Sequence, residues 1–148
     1  SDGLRILEDT GRNLLLAHTP EDINEMHKLI THNASDLPVF VATAFGSARA
    51  KQMDVFKKIA DDCLIEPTVL EEYLPQIRAK TLVMWGKQDR ILDVSCVERL
   101  EELLAVDRKH VLVLDNCGHG LHYEKHAELA NSINQFINDT VPTGTLDE

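Results

Sequence analysis

Two short apolar runs, "TLVMW" (Thr81 to Trp85) and "HVLVL" (His110 to Leu114), are rich in β-branched and aromatic side chains and stop at turn formers, Gly86 after the first and Asp115-Asn116 after the second. Each is too short for a helix and reads as a strand. Between them, Ser95-Cys96-Val97-Glu98 has the spacing of a capping box, and Val97, Leu100, Leu103 and Leu104 recur at helical intervals. Strand, helix, strand in this order is a βαβ unit, which requires parallel strands and places the intervening helix on one face of the sheet. The near-continuous hydrophobicity of both runs predicts strands buried on both faces. The fold class is therefore α/β.

The residues before this unit have a different pattern. Thr19-Pro20-Glu21-Asp22 supplies a capping oxygen, a proline suited to the first helical turn and two carboxylates for the positive end of the helix dipole. Ile23, Met26 and Ile30 then share one face, so a helix is predicted to about His32. A second helix is predicted after Pro38 and a third through Val55, Phe56 and Ile59, with a break near Gly46. Residues 1 to 75 thus read as mostly helical, residues 76 to 138 as strand-helix units, and 139 to 148 as a flexible tail. A last helix is predicted from about Glu124 to Asn138, with Leu129, Ile133, Phe136 and Ile137 on its apolar side.

Bulk properties exclude several classes of function. Fifteen basic against twenty-five acidic residues give a formal charge of -10, and no local basic patch offsets it, so no nucleic-acid partner is expected. The longest apolar runs, such as Val39 to Phe45, fall far short of a membrane span, and no signal peptide opens the chain, which reads as soluble. Cys63, Cys96 and Cys117 are odd in number and lack CxxC spacing, which argues against a disulfide framework or zinc knuckle and favours a reducing compartment. The chain opens Ser-Asp-Gly without an initiator methionine, as expected of a processed chain or a piece of something longer.

In open parallel sheets the chemistry gathers beyond the carboxyl ends of the strands. Those positions read "GKQDRILD" and "DNCGHG", and each carries an acid-base group beside glycine, Asp89 and His119. An aspartate and a histidine on adjacent strand ends have the makings of an orienting acid and a general base. A solvated turn aspartate and a helix-flanking histidine are the plain alternatives. Asp93 is a second candidate for the acid, against a turn role ahead of Ser95. His122 and His126 stand at one-turn spacing near His119, but without an accompanying carboxylate motif surface histidines are the better reading, and no metal site is expected. Cys117 is read as a small buried turn residue rather than a nucleophile, and Met84 and Trp85 as core.

"TLVMWGKQDRILDVS" and, some thirty residues on, "LDNCGHGLHYEK" resemble the C-terminal third of α/β-hydrolases, in particular the membrane-bound members that cleave monoacylglycerols. "HTPEDINEM" looks like the first part of the helical cap of that family, so the resemblance covers roughly residues 10 to 138. It implies a partial α/β-hydrolase fold with an incomplete sheet, residues 1 to 75 lying over the active site as a lid, Asp89 as triad acid and His119 as triad base. Leu121, His122 and Tyr123, directly after that base, are candidates to border the leaving-group pocket, with Leu121 and Tyr123 taken as substrate-binding and plain packing an equal alternative, while Met26, Phe40 and Phe45 are read as cap core before acyl-channel lining.

The family places its serine in a Gly-x-Ser-x-Gly elbow ahead of the acid. No such motif occurs here. The nearest imitation, Ser47 in "FGSAR", lacks the second glycine and sits in a helical context. The oxyanion-hole segment and a membrane anchor are likewise expected in an N-terminal half outside this chain. The implied function is that of the C-terminal part of a serine hydrolase of lipid-like carboxylic esters, with no cofactor, whose partner is the missing half. The parent would reach a membrane only through the missing anchor. The other expectation is a truncated, non-catalytic assembly module that self-associates through its exposed sheet edge. One departure from the family, Lys125-His126 where a proline is usual, bears only on the entry to the last helix.

Overall fold

A computed structural model describes residues 1–65, 69–107 and 109–140. The helical half opens with α1 (Asp2–Thr10), which ends at Gly11 in the left-handed region (φ 69°), its N–H donating to the Leu7 carbonyl. A short 3-10 turn, Leu14–Leu16, leads to α2 (Pro20–Ile30), α3 (Val39–Ala50), α4 (Met53–Ile65) and α5 (Val69–Tyr73). The start of α2 follows its sequence. Thr19 Oγ1 accepts the Asp22 N–H at 3.2 Å, Pro20 holds the first helical position, and Glu21 and Asp22 stand in the first turn.

The expected break at Gly46 is not found. Gly46 lies inside α3 and is buried, because a Cβ there would stand 2.4 Å from the His18 carbonyl oxygen. The glycine serves close packing of α3 on the segment before α2, and the chain turns instead at Lys51-Gln52. Ala17, Ile23 and Ala42 form the core at this crossing, with Met26 and Leu37 packed against it. Arg49 staples the same crossing from the outside: its Nε donates to the Ala17 carbonyl at 2.8 Å, and its guanidinium lies 4.3 Å from the centre of the Phe56 ring. Phe40 and Phe45, read as cap core, are instead 77% and 57% exposed. Ala42 and Gly46 occupy the packed face of α3, which turns Phe40 away from it.

After a second 3-10 turn at Leu74–Gln76 come β1 (Thr81–Gly86), α6 (Cys96–Leu103), β2 (Lys109–Leu114), α7 (Leu121–Glu124) and α8 (His126–Ile137). Strands β1 and β2 pair in parallel with Thr81 opposite Lys109 and Gly86 opposite Leu114, so both end level with each other. The βαβ unit is present, and Val97 and Leu104 are buried at the ends of the α6 stripe.

Three details depart from the sequence reading. The strands are only half buried over most of their length, because two strands and their helices leave an edge and part of a face uncovered. Ser95 makes no side-chain cap bond to α6; Asp93 Oδ1 accepts the Ser95 N–H at 3.0 Å instead. The last helix divides at Lys125, whose backbone (φ -130°, ψ 40°) is not helical, so Glu124 closes α7 and α8 starts at His126. On α8, Ile133 and Ile137 are 41% and 68% exposed, and only Leu129 and Phe136 of the expected stripe are partly covered. Of the tail, residues 141–148 lie outside the described residues.

Candidate active site

Because β1 and β2 end side by side, the loops that follow them emerge together and bind each other at once: the Lys87 N–H donates to the Leu114 carbonyl at 2.9 Å. Gly86 is required there, since a Cβ would fall 2.0 Å from the Gly118 carbonyl oxygen and 2.6 Å from that of Cys117. The first loop turns immediately, the Asp89 N–H donating to the Gly86 carbonyl at 3.1 Å. Asp89 Oδ1 then accepts the N–H groups of Ile91 (2.8 Å) and Leu92 (3.0 Å), a local turn that uses up one carboxylate oxygen. Trp85 braces the far side of this loop, its indole N–H donating to the Leu92 carbonyl at 3.2 Å.

The second oxygen faces the other loop. Asp89 Oδ2 stands 2.8 Å from His119 Nδ1, and the two side chains differ sharply in environment, 3% exposed for the aspartate and 41% for the histidine. With Nδ1–H donating to the carboxylate, Nε2 carries the lone pair on the accessible side of the ring. Burial pushes the Asp89 carboxyl up, but the His119 hydrogen bond, the two backbone N–H donors and the histidine charge outweigh it and hold the group below its ordinary value. For His119 the hydrogen bond to Asp89 is the largest influence and raises the imidazole above its usual value, against the opposing pull of burial.

The His119 loop is itself constrained. Asn116 takes a left-handed conformation (φ 51°), one of the few non-glycine residues that tolerate it. Cys117 is fully buried, and burial, then the nearby Glu124 carboxylate, pushes its thiol to about 11, which leaves it protonated and poorly nucleophilic near neutral pH. The described side chains do not include that of Cys63.

Two residues that the sequence did not single out hold this arrangement. Gln88 joins the loops through both ends of its amide: Oε1 accepts the Cys117 N–H at 3.1 Å and Nε2 donates to Asp115 at 2.8 Å. Glu124 accepts the N–H groups of Gly118 and, from the far half of the chain, His32. Nothing in local spacing announces either contact, because both depend on which loops the sheet brings together.

The other candidates fall elsewhere. Asp93 is exposed and holds Ser95, away from the imidazole. His122 and His126 belong to different helices, and the described residues contain no cluster of three histidine, cysteine or acidic side chains able to hold a metal ion. Ser47 is exposed on α3. Tyr123 is 71% exposed and, with Gly120 and His122, borders a mostly apolar cavity of about 370 Å³ whose other walls include Ile23, Met26, Ile30, Leu37 and Phe45, with His27 and Thr31 as polar lining. Leu121 is half buried and is not part of that wall. A larger cleft of about 720 Å³ is polar; it includes Asp89, Arg90 and Asp93 but not His119.

No family model matches the chain. Among curated proteins it is similar to the monoacylglycerol lipase ABHD6 of Rattus norvegicus, 29% identical over 139 residues that span 90% of this chain and 41% of that protein. It is also similar to Lipase 1 of Psychrobacter immobilis, 25% identical over 84% of this chain and 39% of the lipase. The chain therefore spans about two fifths of the length of the curated relatives it matches, in their C-terminal part. Among solved structures, a membrane phospholipase A described as a bacterial virulence factor superposes with a TM-score of 0.81 and 29% identity, over 94% of this chain and 44% of that one. The meta-cleavage product hydrolase CumD of Pseudomonas fluorescens IP01 superposes with a TM-score of 0.64 at 20% identity, over 88% of this chain and half of the other. The architecture is that of the C-terminal part of an α/β-hydrolase fold.

Proposed function

We propose that this chain is the acid- and base-bearing part of a serine hydrolase that cleaves lipid-like carboxylic esters, monoacylglycerols foremost. One observation carries the reading: a buried carboxylate and an accessible imidazole, 2.8 Å apart, on loops leaving the ends of two parallel strands. In this reading the attacking hydroxyl comes from a Gly-x-Ser-x-Gly segment outside these residues. His119 Nε2 takes the hydroxyl proton as the oxygen attacks the ester carbonyl, and returns it to the departing alkoxide. Asp89 keeps the proton on Nδ1 and stabilises the imidazolium that forms. A water molecule then repeats the cycle on the acyl-enzyme.

The lipid-like substrate is supported by the apolar cavity beside Gly120 and Tyr123, walled by α2 and α3. It is also supported by the similarity to a monoacylglycerol lipase and to a bacterial lipase. Residues 1 to 75 act as the lid in this reading, with Met26, Phe45 and Tyr123 toward the substrate. Among the described residues no helix is long and apolar enough to cross a membrane, so any anchor of the parent belongs to another segment.

The test is to express the protein encoded when the reading frame is followed upstream of Ser1, and to measure fluorophosphonate labelling and monoacylglycerol hydrolysis. Labelling is expected on a serine outside these 148 residues, and turnover is expected to fall by about 10⁴-fold in Asp89→Asn and by about 10⁶-fold in His119→Ala. Labelling of the 148-residue chain by itself, lost in His119→Ala, would put the nucleophile within it and overturn this account of the missing serine.

A second reading, a non-catalytic assembly module, is favoured by the sheet. Among the described residues it has two strands, each with one unpaired edge.

A further inference from the structure

We infer that Glu124 is a positioning residue for His119: its carboxylate binds the backbone of the His119 loop and the exit of α2 together, so that the cap helix as well as Asp89 sets the orientation of the imidazole. This rests on the reading of His119 as the base. Glu124 Oε1 accepts the His32 N–H at 2.8 Å, while Oε2 accepts the Gly118 N–H at 3.0 Å, with Oε1 also within 3.3 Å of it. His32 and Glu124 lie 92 residues apart in sequence, and the carboxylate closes that distance with two charge-assisted bonds.

The backbone on the other side of His119 is held by the same helix exit. The Gly120 N–H donates to the Ile30 carbonyl at 3.1 Å. The residues before and after His119 are thus both tied to positions 30 to 32, and its backbone has little freedom to turn. Gly118 is shaped for this contact, since a Cβ there would meet the Ile30 carbonyl oxygen at 2.5 Å and the His32 nitrogen at 3.0 Å. The single turn of α7 folds Glu124 back over the loop, with the Glu124 N–H donating to the Gly120 carbonyl at 2.9 Å. Glu124 bonds to backbone N–H groups and so acts on the imidazole through the backbone. Consequently a cap that swings away from the sheet pulls on the base loop at both ends.

The charged and titratable groups around this loop are Asp89 after β1, His32 after α2, Asp115 and Cys117 at the loop itself, His122 and Glu124 on α7, Lys125 after it and Glu128 on α8. Glu124→Ala and Glu124→Gln remove the same charge, so a difference between them reports geometry rather than field. The experiment follows His119 by NMR in the 148-residue chain, recording its low-field Nδ1 proton and its titration midpoint. In Glu124→Ala the proton should broaden or vanish and the midpoint should fall toward the ordinary histidine value of about 6.5. Glu124→Gln, whose remaining oxygen still accepts an N–H, should fall by less.

Equal shifts in the two variants, or none in either with the fold intact, would overturn the proposal. Should Glu124→Ala fail to fold, Glu124→Asp decides: it keeps the charge and shortens the reach by one methylene, so it should disturb the proton, and an unchanged His119 signal would overturn the proposal. Asp89→Asn serves as control. If His119 does not respond to it, the pairing of acid and base has failed instead of the role of Glu124.

Discussion

Gln88 and Cys117 bind each other twice. The Gln88 backbone N–H donates to the Cys117 carbonyl at 2.9 Å, and the Cys117 N–H donates to the Gln88 side-chain oxygen at 3.1 Å. This double contact fixes the spacing of the two loops that carry Asp89 and His119. Gln88→Ala leaves the N–H of a fully buried residue without an acceptor, a loss of about 1–3 kcal/mol. The expected result is a lower urea midpoint with an unchanged slope, and a midpoint equal to that of the parent would show that water replaces the amide without cost.

The acid-base pair gives stability a defined pH window. His119 is raised in the folded chain, so its contribution is full below the unfolded histidine value of about 6.5 and is lost as pH rises through the folded value. Asp89 is lowered, so its contribution is full above the unfolded aspartate value of about 4 and is lost as pH falls through the folded value. The pair therefore stabilises most between those two unfolded values. In Asp89→Asn both flanks should flatten and the His119 midpoint should drop. Denaturant titrations at several pH values, paired with NMR of His119, check both outcomes, and parallel stability curves for parent and variant would contradict the pairing.

Glycines at the loop crossing should tolerate alanine very unequally. At Gly86 the obstacle is backbone, the Gly118 oxygen at 2.0 Å, so Gly86→Ala must push the two loops apart and is expected to cost about 3 kcal/mol, the upper end for overpacking. At Gly120 the nearest atom is an Ile30 methyl at 3.4 Å, an ordinary contact, and Gly120→Ala should cost less than about 1 kcal/mol. Melting the two variants side by side tests the ranking, and equal losses would mean that the crossing is looser than these distances imply.

Much of this was legible in the residues because it is local. The apolar runs at Thr81 and His110 and the cap at Thr19 each depend on a few neighbours, and the strand-end rule directed attention to Asp89 and His119. A glycine in a helical pattern looks like a break, while the purpose of Gly46, clearance for the His18 carbonyl, is set by a segment distant in the chain. The contacts of Gln88 and Glu124 are hidden from the sequence for the same reason. Ile137 reads as core from its place on an amphipathic stripe and Phe40 from its apolar side chain in the cap, yet neither signal says whether these 148 residues supply a surface to cover it.

Cys117 stands two residues before His119, and its reactivity separates two chemistries. Its buried thiol, pushed to about 11, should resist iodoacetamide in the native chain near pH 8 and react once the chain is unfolded, whereas the half-buried Cys96 should alkylate more readily. Peptide mapping by mass spectrometry distinguishes the sites. Rapid native alkylation of Cys117 that depends on His119 would revive a cysteine nucleophile.

The uncovered surface makes a final expectation about assembly. Ile133 and Ile137 project from α8 at 41% and 68% exposure, Phe40 from α3 at 77%, and the two-stranded sheet has unpaired edges among the described residues. Burying one such side chain gains about 1.5–3 kcal/mol, so association is favourable wherever these surfaces find an apolar counterpart, a second copy of the chain included. The 148-residue chain should scatter light as more than a single copy. Ile137→Lys should weaken that association by about tenfold or more while leaving the fold intact, because the position is exposed in the single chain. If the parent chain runs as a sharp monomer and melts cooperatively, the uncovered faces are not sticky enough to need a partner, and the assembly reading falls without touching the acid-base pair.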